Sequence, residues 1–284
     1  MAMILSGKPA MQKFVEKLQS RVRLLAEHGV TPAITVVRVG NDPAAENYAA
    51  SIRRRAEMVG VTMNTVNLME DASLEQVLNT IDGLNADDSV HGILLYLPLP
   101  GALHGKEAEV CARLSPEKDV DGITDGSAAA VYLGKDGFAP CTAEACLRLL
   151  ESYEIPFAGK NACVVGRSQV IGKPAAMLLL HKNATVTVAH SRTADLAAVT
   201  RQADILIAAA GCAGLITKDH VKPDAVVVDV GANMVDGRMV GDVLFDEVEA
   251  VASAITPVPG GVGMVTSTVL MEHVVTAAEK SLIR

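Results

Sequence analysis

The stretch 161–195 leaves few folds open to this chain. It reads NACVVGRSQVIGKPAAMLLLHKNATVTVAHSRTAD. A short Val-rich run, Ala162–Val165, stops at Gly166 and reads as a strand buried on both faces. Gly172-Lys173-Pro174 then opens an apolar helix over Ala175–Leu180. Proline suits a first helical turn, where its missing N–H has no intrahelical partner to lose. A second β-branched strand, Ala184–Val188, runs on to His190-Ser191-Arg192. Strand, glycine-bounded loop, helix and strand make a βαβ unit of a dinucleotide-binding sheet. Backbone N–H groups at the helix start are expected to face a pyrophosphate, because the helix dipole favours negative charge there.

The glycine pattern alone is not specific. GxGxxG needs glycine at 166, 168 and 171, whereas the chain has Gly166, Ser168, Ile171 and Gly172. An ordinary strand-to-helix turn fits the same residues. The end of the second strand adds information. NAD sites place Asp or Glu there to hold the ribose hydroxyls; here stand Ser191 and Arg192, with Arg167 in the first loop. Two guanidiniums and a hydroxyl suit a 2′-phosphate, which favours NADP and leaves NAD open. A lone Arg192 is equally at home as a solvated loop residue.

With 284 residues the chain has room for two domains, each with its own core. Half of it is hydrophobic, which excludes a disordered protein. A net charge of -8 without a basic run argues against nucleic acid. The first residues lack a charged region followed by a long apolar one, so no secretion signal is read. No apolar run approaches the ~20 residues a membrane helix needs. The five cysteines form no CxxC pair and the histidines lack ligand spacing, so neither a disulfide framework nor a metal site is expected. These features point to a soluble cytoplasmic protein.

Taken in order, the chain alternates. Helical periodicity over Met11–His28 precedes a buried strand, Ala33–Val39, and the turn Gly40-Asn41-Asp42-Pro43. A helix over Ala44–Val59, a strand over Thr62–Leu68 and a helix over Ser73–Leu84 follow, the last with a Ser73/Gln76 capping box. A strand over Gly92–Leu97 and a short helix over Lys106–Leu114 complete a first α/β unit. Lys118–Gly122 leads into a Gly-rich, weakly patterned stretch to Ala139, and a helix over Ala143–Tyr153 bridges to the second unit. Beyond the βαβ unit come strands at Ile205–Ala209 and Ala225–Val230, a Pro/Gly loop at Thr256–Gly263 and a final amphipathic helix, Ser267–Ile283. The expected fold is a two-domain α/β protein. Residues 1–139 form one domain, joined by the last helix 267–284 packing back on it. Residues 140–266 form a Rossmann-type dinucleotide domain.

Nine short motifs, in this order, give a sharper reading. They are Tyr48 with Ser51, VHGILLYLPLP (Val90–Pro100), KDVDG (Lys118–Gly122), PCT (Pro140–Thr142), GRSQVIGKP (Gly166–Pro174), ATVTVAHSRT (Ala184–Thr193), DVGAN (Asp229–Asn233), GDV (Gly241–Val243) and TPVPGGVG (Thr256–Gly263). Together they closely resemble the methylenetetrahydrofolate dehydrogenase/cyclohydrolase family over nearly the whole chain. The resemblance implies folate in a cleft between two α/β domains and hydride transfer from 5,10-methylene-tetrahydrofolate to NADP or NAD, giving 5,10-methenyl-tetrahydrofolate. It implies a homodimer. It places Tyr48 along the folate and Asp121 on the pterin, with Tyr96, Pro259, Gly260 and Gly261 also on the substrate side. It assigns the cofactor to Gly166, Arg167, Ser168, Gly172, Ser191 and Arg192. These roles make chemical sense: a Tyr face offers stacking area, and a carboxylate accepts from adjacent pterin N–H groups in bidentate fashion.

The departures from the family cluster in its hydrolytic half. Bifunctional members carry a catalytic Lys four residues after the Tyr, and that position is Ile52. They carry Gln where this chain has Tyr96. Hydration of the methenyl bridge needs proton transfers beside a cation, which a tuned Lys performs and Ile does not. The expectation is a dehydrogenase whose cyclohydrolase step is lost. Three alternatives stand beside it: hydrolysis by another group, a modified pterin carrier, and a non-catalytic binding paralogue. Arg55 falls on the helix face of Tyr48 and Ile52 and is the one candidate substitute, either a cation near the folate or a surface charge. Its permanent charge makes it a poor base. Ala143-Glu144-Ala145 and Met264-Val265 depart further, where the family has Pro, Gly and Pro-Met.

Overall fold

The computed structural model describes residues 1–40 and 43–283, with the side chains of all of these except 43–48. In chain order its elements are β1 (Met3–Ile4), α1 (Gly7–Glu27), β2 (Ala33–Val39), α2 (Pro43–Val59), β3 (Thr62–Leu68), α3 (Leu74–Ala86), β4 (Gly92–Leu95), α4 (Glu107–Cys111), α5 (Asp125–Leu133) and α6 (Cys141–Ser152). Then follow β5 (Asn161–Val165), α7 (Gly172–His181), β6 (Thr185–Ala189), α8 (Leu196–Thr200), β7 (Ile205–Ala208), β8 (Val226–Asp229), β9 (Asn233–Val235), β10 (Arg238–Val240), α9 (Phe245–Glu249), β11 (Ala254–Ile255) and α10 (Val262–Ser281).

These fall into two compact units: Lys13–Cys141 with Ser267–Arg284, called here the first unit, and Met1–Gln12 with Thr142–Thr266, the second. The last helix, expected to be amphipathic, is buried nearly all round, and from Ser267 onward it joins the first unit. The opening residues do not. Met1–Gln12 group with the second unit because β1 pairs in parallel with β11, Met3 opposite Ala254. Gly7 N–H also donates to the Gly260 carbonyl at 2.8 Å. Two residues of strand are too short to show a period, so the sequence held no signal for this pairing.

In the first unit β2 is the middle strand of the parallel order β3-β2-β4. Its AITVVRV sequence is buried through Arg38, as a strand covered on both faces requires. Ser73 caps α3 with the expected box, its hydroxyl accepting from Gln76 N–H at 3.2 Å while Gln76 returns a bond to Ser73 N–H at 2.8 Å. Val77 and Ile81 on α3 pack with Ile93 and Leu95 of β4 in one core. Each such side chain contributes about 1.5–3 kcal/mol of burial.

Three expectations need correction here. The weakly patterned stretch after Gly122 contains α5, whose run of alanines carries little apolar period. Its signal was Thr124, which accepts from Ser127 N–H at 3.1 Å as N-cap. The strand expected to reach Leu97 stops at Leu95, although Tyr96 N–H still donates to Val37 C=O at 3.0 Å. The last helix begins at Val262, inside the Pro/Gly loop, rather than at Ser267.

The second unit carries a parallel six-stranded sheet in the order β1-β11-β8-β7-β5-β6. The chain passes from β5 outward to β6, then returns to the other side of β5 as β7. That reversal is a topological switch point, and ligands of open α/β sheets bind beyond the carboxyl ends of the strands there. The hairpin β9-β10 turns on Asp236-Gly237, both at positive φ (49° and 74°). That is the two-residue turn an Asp-Gly pair favours.

Candidate functional site

The carboxyl ends of β5, β6 and β7 open onto a cavity of about 520 Å³. It is within the range of small-molecule sites. Gly166, Arg167 and Ser168 line it from β5, His190, Ser191 and Thr193 from β6, and Ala209, Ala210 and Cys212 from β7. Gly166 has φ 132°, and a Cβ on it would collide with the Ala209 carbonyl oxygen. A Cβ on Gly172 would in turn collide with the Gly166 carbonyl. Glycine at both ends of the loop is therefore a steric requirement: strand, loop and helix approach closer than any side chain allows.

The one-residue-longer loop has a visible consequence. Ser168 Oγ accepts from Ile171 N–H at 3.2 Å and Gly172 N–H at 3.3 Å, and its carbonyl takes Lys173 N–H at 3.0 Å. The first-turn donors of α7 expected to meet a pyrophosphate are thus already used by Ser168. Arg167, beside Ser168, lines the cavity from the same loop.

After β6 the chain turns tightly: His190 N–H donates to Thr193 Oγ1 at 2.9 Å, and Arg192 N–H to His190 Nδ1 at 3.1 Å. An N–H can donate only to an unprotonated nitrogen, so His190 carries its proton on Nε2. Arg192 is exposed and contributes its backbone to this turn; it does not line the cavity. His190, Thr193 and the Ala209–Cys212 wall escaped sequence reasoning, although the switch-point rule would have pointed to the end of β7.

That wall is held from behind. Asp242 is fully buried and accepts from Ala210, Gly211 and Cys212 N–H at 2.6, 2.9 and 2.9 Å, and from Asn233 Nδ2 at 2.9 Å. Asp229 accepts from Gly231, Asp242 and Val243 N–H at 2.9, 2.9 and 3.0 Å. Burial pushes its carboxyl up to about 6, against the pull of those donors and with help from the Asp242 charge. The DVGAN and GDV motifs are thus two halves of one interlock.

In the first unit the KDVDG loop is built residue by residue. Lys118 Nζ donates to the Leu84 and Asp87 carbonyls at 3.0 and 2.7 Å. Asp119, fully buried, accepts from Ile123 N–H at 3.0 Å, Thr124 N–H at 2.9 Å and Ser127 Oγ at 2.6 Å. Val120 is core, closed against Gly92. Gly122 has φ 69° and its Cα lies so close to the Ala139–Pro140 peptide that a Cβ would come within 2.5 Å of it. Every member but one is spent on structure. The remaining one, Asp121, is only partly covered. Burial raises its carboxyl to about 6; a Cys141 hydrogen bond and the nearby His273 oppose the rise, and Asp119 adds to it.

Tyr48 lies on α2, and its side chain is outside the described residues. On the same helix Ile52, Arg55, Ala56 and Val59 are buried while Arg53 and Arg54 are exposed, the face its spacing gives. Ile52 is 0% exposed. Arg55 is not a surface charge. It is 9% exposed, its Nε donates to Ser267 Oγ at 3.3 Å and its Nη1 reaches Met58 Sδ at 3.4 Å, and burial lowers its pKa. The Tyr96 ring lies 5.8 Å from the guanidinium carbon of Arg38. Pro259, Gly260 and Gly261 belong to the second unit, in the loop that receives the start of α1. Among the described residues no helix is long and apolar enough to cross a membrane, and no group of three His, Cys, Asp or Glu side chains is placed to hold a metal ion.

Comparison with known proteins matches both units. Residues 5–121 match the family described as Tetrahydrofolate dehydrogenase/cyclohydrolase, catalytic domain, and residues 140–282 its NAD(P)-binding domain. A protein named bifunctional protein FolD, from Exiguobacterium sibiricum, is 47% identical over 98% of this chain and 100% of its own. The crystal structure of the bifunctional FolD methylenetetrahydrofolate dehydrogenase/cyclohydrolase from Campylobacter jejuni superposes with a TM-score of 0.94 at 40% identity, covering 99% of each chain. The Trypanosoma brucei methylenetetrahydrofolate dehydrogenase-cyclohydrolase, complexed with NADP and an inhibitor, gives 0.93 at 32% identity over 100% of this chain and 99% of its own.

Proposed function

The chain belongs to the tetrahydrofolate dehydrogenase/cyclohydrolase family, and from that premise we propose that it oxidises 5,10-methylene-tetrahydrofolate to 5,10-methenyl-tetrahydrofolate with NADP and has lost the hydrolytic step that follows. The observation that carries the oxidation is the cavity at the sheet's switch point, bounded by a loop whose two end glycines let strand, loop and helix pack against one another. The donor set fits an anionic dinucleotide: Arg167, Ser168 and Ser191 would hold it, with no acidic residue at the end of β6 to repel a 2′-phosphate. When bound, the nicotinamide supplies the hydride acceptor. The chain's own part is orientation. Asp121 accepts from the pterin's N–H groups, Tyr48 lies along the folate, and the 259–261 loop lines the substrate side. Fixing the reacting carbon in place is the main catalytic task, because hydride removal needs no strong acid or base.

The proposed loss of hydrolysis rests on Ile52. A side chain with no titratable proton, 0% exposed, occupies the position of the family's Lys. A second reading has its own support. The relatives above are named bifunctional, so another group of this chain would then move the protons. Arg55, one turn on, is the nearest cation on that helix face, but an arginine holds its proton too tightly to act as a base. We further propose that the protein works as a homodimer in the cytoplasm.

The test follows two signals together, reduced cofactor and methenyl absorbance, after mixing the protein with 5,10-methylene-tetrahydrofolate and NADP or NAD. Methenyl-tetrahydrofolate is then supplied alone. Cofactor reduction with methenyl decay at the buffer rate is the expected result. Accelerated decay overturns the loss of hydrolysis, and no reduction with either cofactor overturns the dehydrogenase.

A further inference from the structure

Asp121 is attended by two buried side chains that its own motif does not contain. Cys141 opens α6 and is 1% exposed; His273 lies on α10 and is 6% exposed. His273 Nδ1 is 2.8 Å from the Val120 carbonyl oxygen. A carbonyl only accepts, so Nδ1 carries the proton. The ring is fixed in that pose by Phe138, whose centroid is 4.9 Å away. Cys141 Sγ lies 3.2 Å from the same carbonyl and 3.6 Å from His273 Nδ1, and its thiol also hydrogen-bonds the Asp121 carboxyl.

The thiol has one proton and two acceptors within reach, the Val120 carbonyl and the Asp121 carboxylate. His273 decides between them. Its N–H holds one of the two lone pairs of the Val120 carbonyl, so that carbonyl stays paired when the thiol proton turns from it to the carboxylate, the stronger acceptor. Without His273 the buried carbonyl would claim the thiol, because a buried carbonyl left unpaired is costly. Among the described residues, the groups that act on Asp121 are Asp119 from its own loop, Cys141 from α6 and His273 from α10.

We propose that His273 and Cys141 are positioning residues that act in series to orient the Asp121 carboxylate and keep it ionised for the pterin. The inference rests on the reading of Asp121 as the pterin-binding group. Its signature is a selective loss on the folate side, with pH dependence, that a general packing defect would not give.

The test uses the full-length enzyme with variants Cys141→Ala, Cys141→Ser, His273→Leu, His273→Asn and the double Cys141→Ala/His273→Leu. Cys141→Ala and His273→Leu should each raise the KM for methylene-tetrahydrofolate about ten- to a hundredfold, the effect of one lost hydrogen bond to a charged group. The acid limb of folate kcat/KM should move to higher pH, because the groups removed are those that favour the ionised form. The hydrogen-bonding variants Cys141→Ser and His273→Asn should stay within about twofold of wild type, and NADP affinity should not change. Since the two act in series, the double variant should be no worse than the poorer single. Unmoved folate KM in both apolar variants overturns the proposal. So do folate and NADP affinities falling together, and so does equal behaviour of His273→Leu and His273→Asn. Wild-type protein that fails to turn over methylene-tetrahydrofolate removes the reading of Asp121 and this inference with it; wild-type turnover with unmoved variants removes the inference alone.

Discussion

Asp242→Asn should loosen the wall of the cofactor cavity and weaken NADP binding without touching any residue that lines it. Asp242 is a buried carboxylate satisfied by dipoles: three consecutive backbone N–H groups and the Asn233 amide converge on it at 2.6–2.9 Å. No ion pair to it occurs among the described residues. The substitution keeps shape and volume but replaces one acceptor oxygen with a donor. At least two of the four donors then lose their partner or face another N–H. Each bond to a charged acceptor is worth about 1.5–3 kcal/mol. Ala210, Gly211 and Cys212 are exposed residues, so water recovers part of that loss. A net cost of about 2–4 kcal/mol follows. At roughly 2–4 °C per kcal/mol, the unfolding midpoint of the second unit should fall by about 5–15 °C.

Two assays separate the consequences. Thermal unfolding reports the stability loss, read for the second unit's own transition because a two-unit chain need not melt in one step. Titration with NADP at a temperature where the variant is folded should show Kd raised about tenfold, since binding must first re-order the 210–212 wall and pays for that entropy. Asn233→Ala, which removes one donor and leaves the carboxylate its other three, should cost only about 1 kcal/mol. A midpoint unchanged within about a degree, with unchanged Kd, would refute the reasoning that the carboxylate organises this wall.

Other outcomes follow from the same geometry. Gly166→Ala, forced against the Ala209 carbonyl at φ 132°, should cost about 1–3 kcal/mol of backbone strain and lower NADP affinity at least about tenfold, readable by calorimetry. The raised Asp121 carboxyl makes the pH dependence of folate kcat/KM specific: it should climb through about pH 6 and level off above, since only the ionised form accepts from the pterin, and Asp121→Asn should remove that limb. For stability the sign is opposite. Asp229 is raised from 3.8 to about 6, so the folded state favours its proton, and that contribution is present below pH 3.8 and lost as pH rises through 6. Acid titration of Asp229→Asn against wild type checks it. Ile52→Lys should lose about 2–5 kcal/mol, as expected when a fully buried aliphatic group is sacrificed, with its ammonium depressed by several pH units; methenyl hydrolysis should then appear as that lysine deprotonates.

How much of this was legible beforehand depended on whether the physics was local. Strands β2 and β3 were placed to the residue, because a β-branched-rich run (β2) and an alternating one (β3) between turn residues are local statements. The Ser73 box was likewise written in four consecutive residues. The unit joined by β1 was not, since a two-residue strand is defined only by its distant partner β11. The glycines that bound the loop, Gly166 and Gly172, were read from the sequence, and the fold shows that neither can carry a side chain; the part Ser168 plays was not read. A serine in a loop does not announce that it will consume the first-turn donors of the next helix. Arg192 shows another limit: its position in the sequence suggested a phosphate ligand for its guanidinium, and the fold adds that its backbone N–H shapes the His190 turn, which no local pattern announces. DVGAN and GDV were visible as motifs without a purpose, because the interlock of Asp229 with Asp242 spans 13 residues and a hairpin. The Asp236-Gly237 turn of that hairpin was legible and was overlooked.

The two substitutions in the hydrolytic half also differ in what the fold has done with them. A lysine that shuttles protons must be partly desolvated yet keep polar neighbours that tune it. Ile52 offers the opposite, an aliphatic side chain with no exposed surface in the packed face of α2. Tyr96, where the resemblance leads one to expect Gln, places its ring within cation–π range of Arg38, which is itself only 6% exposed. An amide has no aromatic face and cannot meet a buried guanidinium in that way. Each replacement has therefore been absorbed into a local structural role: one fills core, the other covers a cation. Adding Tyr96→Gln to Ile52→Lys should therefore cost more stability than Ile52→Lys alone, because it strips Arg38 of its ring just as the lysine adds a buried cation to the same unit.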